Sequence, residues 1–314
     1  MKSYNYLFGL AFCGALMLNG NAFAKTATKA NAAKQITISF ALKAGDRDIS
    51  CHDNHILLGA DNSPTSIRDA RLYISNVRLI DKTGKEYPLN LTQNEWQYMN
   101  VALLDFEDAT GKCDGNPQTN TSITGTSAVK NIQSIAFDIG VPVSGKDKTG
   151  KRVSLNHSNT ETSPSPLNIA AMAWNWQGGR KFTKFELAPD EGVKRKNDTI
   201  KIWTIHLGST DCAGNPASDE DLKCSSPNRV EVKLDAFNPQ KDKVVFDFKT
   251  LYVKAHITKD DYGAAGCMSF TGDPECEPIF AQLGLRLKPS SEEVKDAGTM
   301  IVPGVSPFIR KEAK

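Results

Sequence analysis

Histidine is scarce in this chain, with five among 314 residues, and neither sign of charge dominates, since 38 Lys and Arg stand against 36 Asp and Glu. The cations are scattered and the formal charge is only +2, which argues against a nucleic-acid partner, whose surface needs a basic stripe. Beyond the amino terminus every apolar run is broken by charge within about 10 residues, too short for a membrane span. No C-x-x-C occurs, which argues against structural zinc. G-x-S-x-G, H-E-x-x-H and G-x-x-x-x-G-K-[ST] are also missing. No acid/base pair accompanies the histidines, so the chain is not expected to be an enzyme.

What is present begins with an export signal. Lys2 supplies a short positive region, residues 7–18 are apolar or small, and Ala22-Phe-Ala24 is an A-x-A cleavage site before Lys25. The expected organisation is a signal peptide over 1–24, a flexible leader over 25–34, a single β domain over 35–287 and an irregular C-terminal tail over 288–314. The compartment is periplasmic or secreted.

Cysteine usage agrees with export. Cys13 leaves with the signal, and six remain: Cys51, Cys113, Cys212, Cys224, Cys267 and Cys276. An even number in an oxidising compartment reads as disulfides. Cys212 and Cys224 bracket a turn-rich loop, as do Cys267 and Cys276, so each pair is expected to bridge locally. Cys51 and Cys113 are left to pair over a longer distance.

The chain reads as strands. Ile36-Thr-Ile-Ser-Phe40, residues 72–79, Ile135-Ala-Phe-Asp-Ile139, residues 200–207, Val230-Glu-Val-Lys-Leu234 and Val244-Val-Phe-Asp-Phe248 carry period-two patterning. Turn signals separate them at Lys82-Thr-Gly84, Thr110-Gly-Lys112, Ser144-Gly145 and Asn238-Pro239. Short helices are expected only near 219–223 and 278–287. The fold class is all-β, a secreted β-sandwich with long disulfide-pinned loops.

Two residue groups invite a metal. Asp105, Glu107 and Asp108, with Asp114 beyond, offer hard oxygens for calcium, although the spacing is not that of an EF-hand. His52 and His55 follow Cys51, which would anchor them. His157 lies in a polar loop and His206 near the end of a strand. Imidazoles presented from two loops at one end of a sandwich suit copper or zinc. Two of the four tryptophans, Trp174 and Trp176, stand at i and i+2 in Met172-Ala-Trp-Asn-Trp-Gln-Gly-Gly-Arg-Lys-Phe182. On a strand that spacing would put both indoles on one face.

Taken in order, several segments resemble the MbnP-like family, the metallo-mystery-pair four-Cys-motif proteins. They are residues 71–79, Trp96-Gln-Tyr-Met-Asn-Val-Ala-Leu-Leu-Asp-Phe-Glu-Asp108, Cys113, Gly140-Val-Pro142, Leu155-Asn-His157 and Pro166-Leu-Asn168. The tryptophan motif, His206-Leu-Gly-Ser-Thr210 with Cys212, and Gly266-Cys-Met-Ser269 with Cys276 complete the series. The match runs over about residues 36–285, and six mature cysteines rather than four depart from the pattern. The resemblance implies a periplasmic copper protein with no catalysis of its own. Its partner would be a di-haem cytochrome c peroxidase-like protein that oxidises Trp174 or Trp176 to kynurenine. An indole N–H only donates and cannot ligate a metal. Opening its ring gives an aryl amine and a ketone with lone pairs, which with imidazoles suit Cu(I). The family motifs point to His157 and His206 as ligands, with His52 and His55 outside them. Arg180 stands where the family commonly has Tyr, a difference that would bear on the partner's approach. The competing expectation is a metal-free secreted β-sandwich that binds a small molecule or a surface.

Overall fold

The structure is a computed structural model; it describes residues 33–174, 178–214, 222–261, 263–287 and 296–314. The signal segment and nearly all of the expected leader lie outside these residues, as does Trp176. Ala33–Lys314 is one compact unit, and none of its described helices is long and apolar enough to cross a membrane.

Two sheets face each other. The first runs, in spatial order, Ile309–Ala313, Asp242–Asp247, Lys34–Ala44, Ser122–Ser127 and Asn90–Leu91, with Arg47–Asp48 paired to Lys34–Ala44. The second runs Val230–Asp235, Ile132–Ile139, Ser63–Asp81, Thr183–Pro189, Trp203–Leu207 and Gly266–Cys267, with three short strands paired to the long one and a fourth, Gln97–Tyr98, paired to one of these, Val101–Asp105. The strand Lys34–Ala44 pairs in parallel with Asp242–Asp247, and Trp203–Leu207 with Gly266–Cys267; the other pairings are antiparallel. Aromatic rings fill the space between the sheets. Phe40 of the first sheet meets Phe137 of the second edge-on at 6.0 Å and stacks on Phe246 at 5.9 Å. Burial of such rings dominates the stability of a sandwich core.

The long strand Ser63–Asp81 is buried on both faces along 70–75, which a half-solvated antiparallel strand would not be. Its core face carries Ala70, Leu72 and Ile74. Its second face carries Asp69, Arg71, Tyr73 and Ser75. The segment around 155–172 covers that second face, since the Tyr73 hydroxyl donates to the Pro166 carbonyl at 2.7 Å.

Several expectations from the sequence need correction. The C-terminal tail is not irregular throughout: Ile309–Ala313 is a strand on Asp242–Asp247 and Phe308 is fully buried. Ile309 is buried, Arg310 and Glu312 are half-buried and Lys311 and Ala313 are exposed, an edge strand that its charge disguised. Lys34 belongs to the first strand rather than to a leader. Residues 200–207 are not one strand. Thr199–Ile200 pairs with Val193–Lys194, and a separate strand begins at Trp203. Ser144–Lys146 is itself a strand, and its turn falls later, where Asp147 Oδ1 accepts from the Thr149 and Lys151 amides. Lys223 opens a strand rather than closing a helix; residues 215–221 lie outside the described ones. The helix expected near 278–287 is Cys276–Leu283, closed by Gly284 at φ 78°, a left-handed cap that favours glycine.

Candidate functional site

The second face of the larger sheet carries a polar ladder dictated by strand register. Asp105 stands opposite Arg71, Arg71 opposite Lys184, and Lys184 opposite His206. In the adjoining row, Asp69 stands opposite Glu186. Lys184 Nζ lies 2.5 Å from Asp69 and 3.0 Å from Glu186, and Arg71 pairs with Asp69. Trp203, Ile205 and Leu207 turn into the core on the alternate positions.

His206 Nε2 lies 2.8 Å from Glu186 Oε1. Burial pushes the Glu186 carboxyl up, but His206 and Lys184 outweigh it and hold it down at about 2. The carboxylate is therefore an acceptor, which makes Nε2 the donor and leaves Nδ1 as the lone-pair nitrogen. Burial lowers the His206 pKa, with Glu186 working against it, which favours the neutral ring that a metal ligand requires. Burial drives Asp105 the other way, up to about 7, against the pull of Arg71.

His157 is reached from a different element. It sits between Asn156 and Ser158, and Arg180 fixes both of them. Arg180 Nη1 donates to the Asn156 carbonyl at 3.1 Å and the Ser158 carbonyl at 2.9 Å. Its Nε and Nη2 reach the Leu167 carbonyl at 2.9 and 2.7 Å. The Arg180 amide donates to Asn156 Oδ1 at 2.9 Å. Arg180 is only 1% exposed, so its side chain does not present itself to an approaching partner; it knits the His157 loop to the tryptophan loop. The His157 ring lies over Gly179, where an added Cβ would come 2.9 Å from Nε2.

Trp174 is not on a strand. A short 3-10 turn, Ala170–Met172, precedes it, its amide donates to the Gly179 carbonyl at 3.1 Å, and Ala173 bridges Arg180. The indole is buried and packs against Gly208, where a Cβ would stand 2.6 Å from Cη2 and 2.7 Å from Cζ3. Gly208 lies two residues beyond His206, so the tryptophan loop, the His157 loop and the His206 strand end meet here. Trp203 is fully buried against Tyr252 at 5.7 Å and Trp96 is half-buried, both packing residues.

The remaining candidates lie elsewhere. His52 and His55 are exposed. His52 lies 3.7 Å from Asp108 and His55 2.5 Å from Asp190. The Asp105 to Asp114 carboxylates are engaged separately. Glu107 is buried and accepts from the Ala109 and Asn116 amides. Asp108 accepts from Thr110, and Asp114 pairs with Arg68. Disulfides join Cys51–Cys113, Cys212–Cys224 and Cys267–Cys276. Among the described residues one group of three metal-type ligands converges, His157 with Cys212 and Cys224, their donor atoms within 4.8 Å of one another. His206 is not in that group. Glu186, Lys184 and Asp69 escaped the sequence reading; the signal was their polarity at alternate positions of otherwise apolar strands.

These features define a class: a disulfide-pinned β-sandwich whose larger sheet carries a buried, imidazole-bearing polar face beneath a tryptophan loop. The family model for MbnP matches residues 33–269, and the chain belongs to the MbnP family. Its structure is similar to that of MbnP from Methylosinus trichosporium, with a TM-score of 0.83 at 40% identity, covering 90% of this chain and 99% of that one. Comparison with curated proteins finds no match. Three disulfides, with the family, point to an extracellular or periplasmic compartment.

Proposed function

We propose that this protein binds copper outside the cytoplasm, through His157, His206 and a kynurenine formed from Trp174 or Trp176. The oxidation is the work of a di-haem cytochrome c peroxidase-like partner, and the chain catalyses nothing itself. One observation carries the reading. Of five histidines, His157 and His206 are the two that are buried, and both belong to the elements that meet around the buried Trp174. The other three are exposed and each faces an aspartate. The donor chemistry fits Cu(I), since two neutral imidazoles with an aryl amine or ketone are borderline ligands. Glu186 holds and orients the His206 ring from behind. Copper would supply a soft cationic centre there; the chain's own part is to bury it and fix the imidazoles.

The test has two arms. Protein made without the haem partner carries intact tryptophans. With the partner and an oxidant, the peptide holding Trp174 and Trp176 gains about 4 Da, one ring carbon being exchanged for oxygen. Modification only at Trp96 or Trp203 overturns the assignment. In the second arm, His157→Ala and His206→Ala each weaken Cu(I) binding by about tenfold or more, roughly 1.4 kcal/mol, in competition with a Cu(I) chelator. Unchanged affinity in both variants overturns these ligands.

A further inference from the structure

We infer that the Cys212–Cys224 disulfide masks a second, redox-gated metal site, and that on reduction the two thiolates and the His157 imidazole bind one Cu(I). The observation is the convergence of the three donor atoms within 4.8 Å. It requires neither tryptophan oxidation nor His206, and it shares only His157 with the reading above.

Three features make the cluster more than a histidine beside a disulfide. First, the cysteines stay opposed without their bond. Thr210–Ala213 and Lys223–Ser226 form an antiparallel pair in which Cys212 faces Cys224, flanked by Thr210 opposite Ser226 and Ala213 opposite Lys223. The base of this pair is tied to the sandwich independently. Thr210 Oγ1 donates to the Ser269 carbonyl at 3.2 Å, and Thr271 Oγ1 donates to Asp211 Oδ2 at 3.2 Å. Opening the S–S bond therefore leaves two thiols side by side on a held ladder. Second, the imidazole is held as well, by the Arg180 bonds to the carbonyls on either side of His157. Third, this disulfide is open to a reductant. Both of its cysteines are half-buried, whereas Cys267 and Cys276 are fully buried and the Cys51–Cys113 bridge has one half-buried member, Cys113, beside a buried Cys51. Thiol–disulfide exchange needs the attacking thiolate to reach a sulfur.

The chemistry balances with an extracytoplasmic dithiol as reductant. Its two thiols supply two electrons and two protons and become a disulfide; the Cys212–Cys224 bond breaks and yields two thiols. Cu(I) then displaces those two protons and takes two thiolates and one neutral imidazole. A soft sulfur-rich set of this kind selects Cu(I) over harder divalent ions.

The experiment uses full mature protein made without the haem partner, with tryptophans shown intact by mass. It is oxidised, or reduced with dithiothreitol and desalted without oxygen, then titrated with Cu(I) against a Cu(I) chelator. X-ray absorption reports sulfur in the copper shell, and alkylation with peptide mass spectrometry reports which bridge opened. The expected result is opening of Cys212–Cys224 ahead of the other two bridges and one tightly bound Cu(I) with sulfur scattering. That binding is absent from the oxidised protein and from C212S/C224S, weakened about tenfold or more in His157→Ala, and unchanged in His256→Ala, whose imidazole is exposed beside Asp61. Circular dichroism checks that each variant folds. The proposal is overturned if reduced protein shows no copper–sulfur scattering, if His157→Ala binds as the native chain does, or if the bridge opens only on unfolding. Failure of the oxidised, kynurenine-bearing protein to bind copper would overturn the earlier reading and leave this one standing.

Discussion

Arg180 shows how much one buried side chain organises here. Among the described residues no carboxylate hydrogen-bonds to it, and burial lowers its pKa. Its donors are matched by the carbonyls of Asn156, Ser158 and Leu167 and by the hydroxyls of Ser158 and Ser163. Arg180→Met removes the fork and leaves those carbonyls buried without donors, each worth about 1–3 kcal/mol. The expected loss is about 3 kcal/mol in urea denaturation. Lys cannot span the same acceptors, so Arg180→Lys recovers little; full recovery would show that charge alone matters. Gly208 sets a steric condition beside it. In Gly208→Ala the new methyl group meets Trp174 Cη2 at 2.6 Å and the Arg180 carbonyl at 2.9 Å. We expect a cost of about 1–3 kcal/mol and a change in indole fluorescence; an unperturbed spectrum would place the indole elsewhere.

At the scale of elements, the C-terminal strand Ile309–Ala313 is held by more than its ladder. Glu312 accepts from Lys43 at 2.7 Å, lies 3.3 Å from Lys243 and pairs with Arg310 at 2.7 Å. The hydrogen bond from Lys43, then that from Arg310, hold its carboxyl down at about 2, below the ordinary 4.5. A carboxyl depressed on folding adds stability that is complete above the unfolded value and lost as pH falls through the folded one. The window here is therefore between about 4.5 and about 2. Glu312→Gln should flatten the acid limb of a stability–pH curve within that window and lower stability at neutral pH. An unchanged limb would show that the strand docks through its ladder and Phe308 alone. The tryptophan loop is a contrasting element. Trp174 follows a 3-10 turn rather than standing on a strand, so its place is not set by the two-residue alternation of a sheet face; Trp176 lies outside the described residues.

For the whole molecule, the Cys51–Cys113 bridge is the long-range staple, with a sequence separation of 62. It ties the segment after the first strand to the loop that holds Glu107 and Asp114. Closing a loop of that length restricts the unfolded chain by about 4 kcal/mol on the chain-entropy account. C51S/C113S should lose stability of about that size, measured by denaturant midpoint at unchanged slope. A loss well under about 1 kcal/mol would show that the unfolded chain is already compact.

The sequence by itself determined the all-β class, the disulfide partners and most strand positions, because those rest on local alternation and on loop spacing. Phe40, Phe137 and Phe246 could be placed in a core from period two alone. It was the family resemblance, not spacing, that put His157, His206 and the tryptophan motif forward as one candidate site. Only the tertiary structure decided which histidines are buried, since burial depends on what covers a sheet face and not on the residue's neighbours in sequence. Strand register, a long-range property, set Asp105, Arg71, Lys184 and His206 in one row. The same packing turned Arg180 inward to hold the His157 loop. It also brought the Cys212–Cys224 pair to His157 across more than fifty residues of chain, a contact that no local pattern encodes.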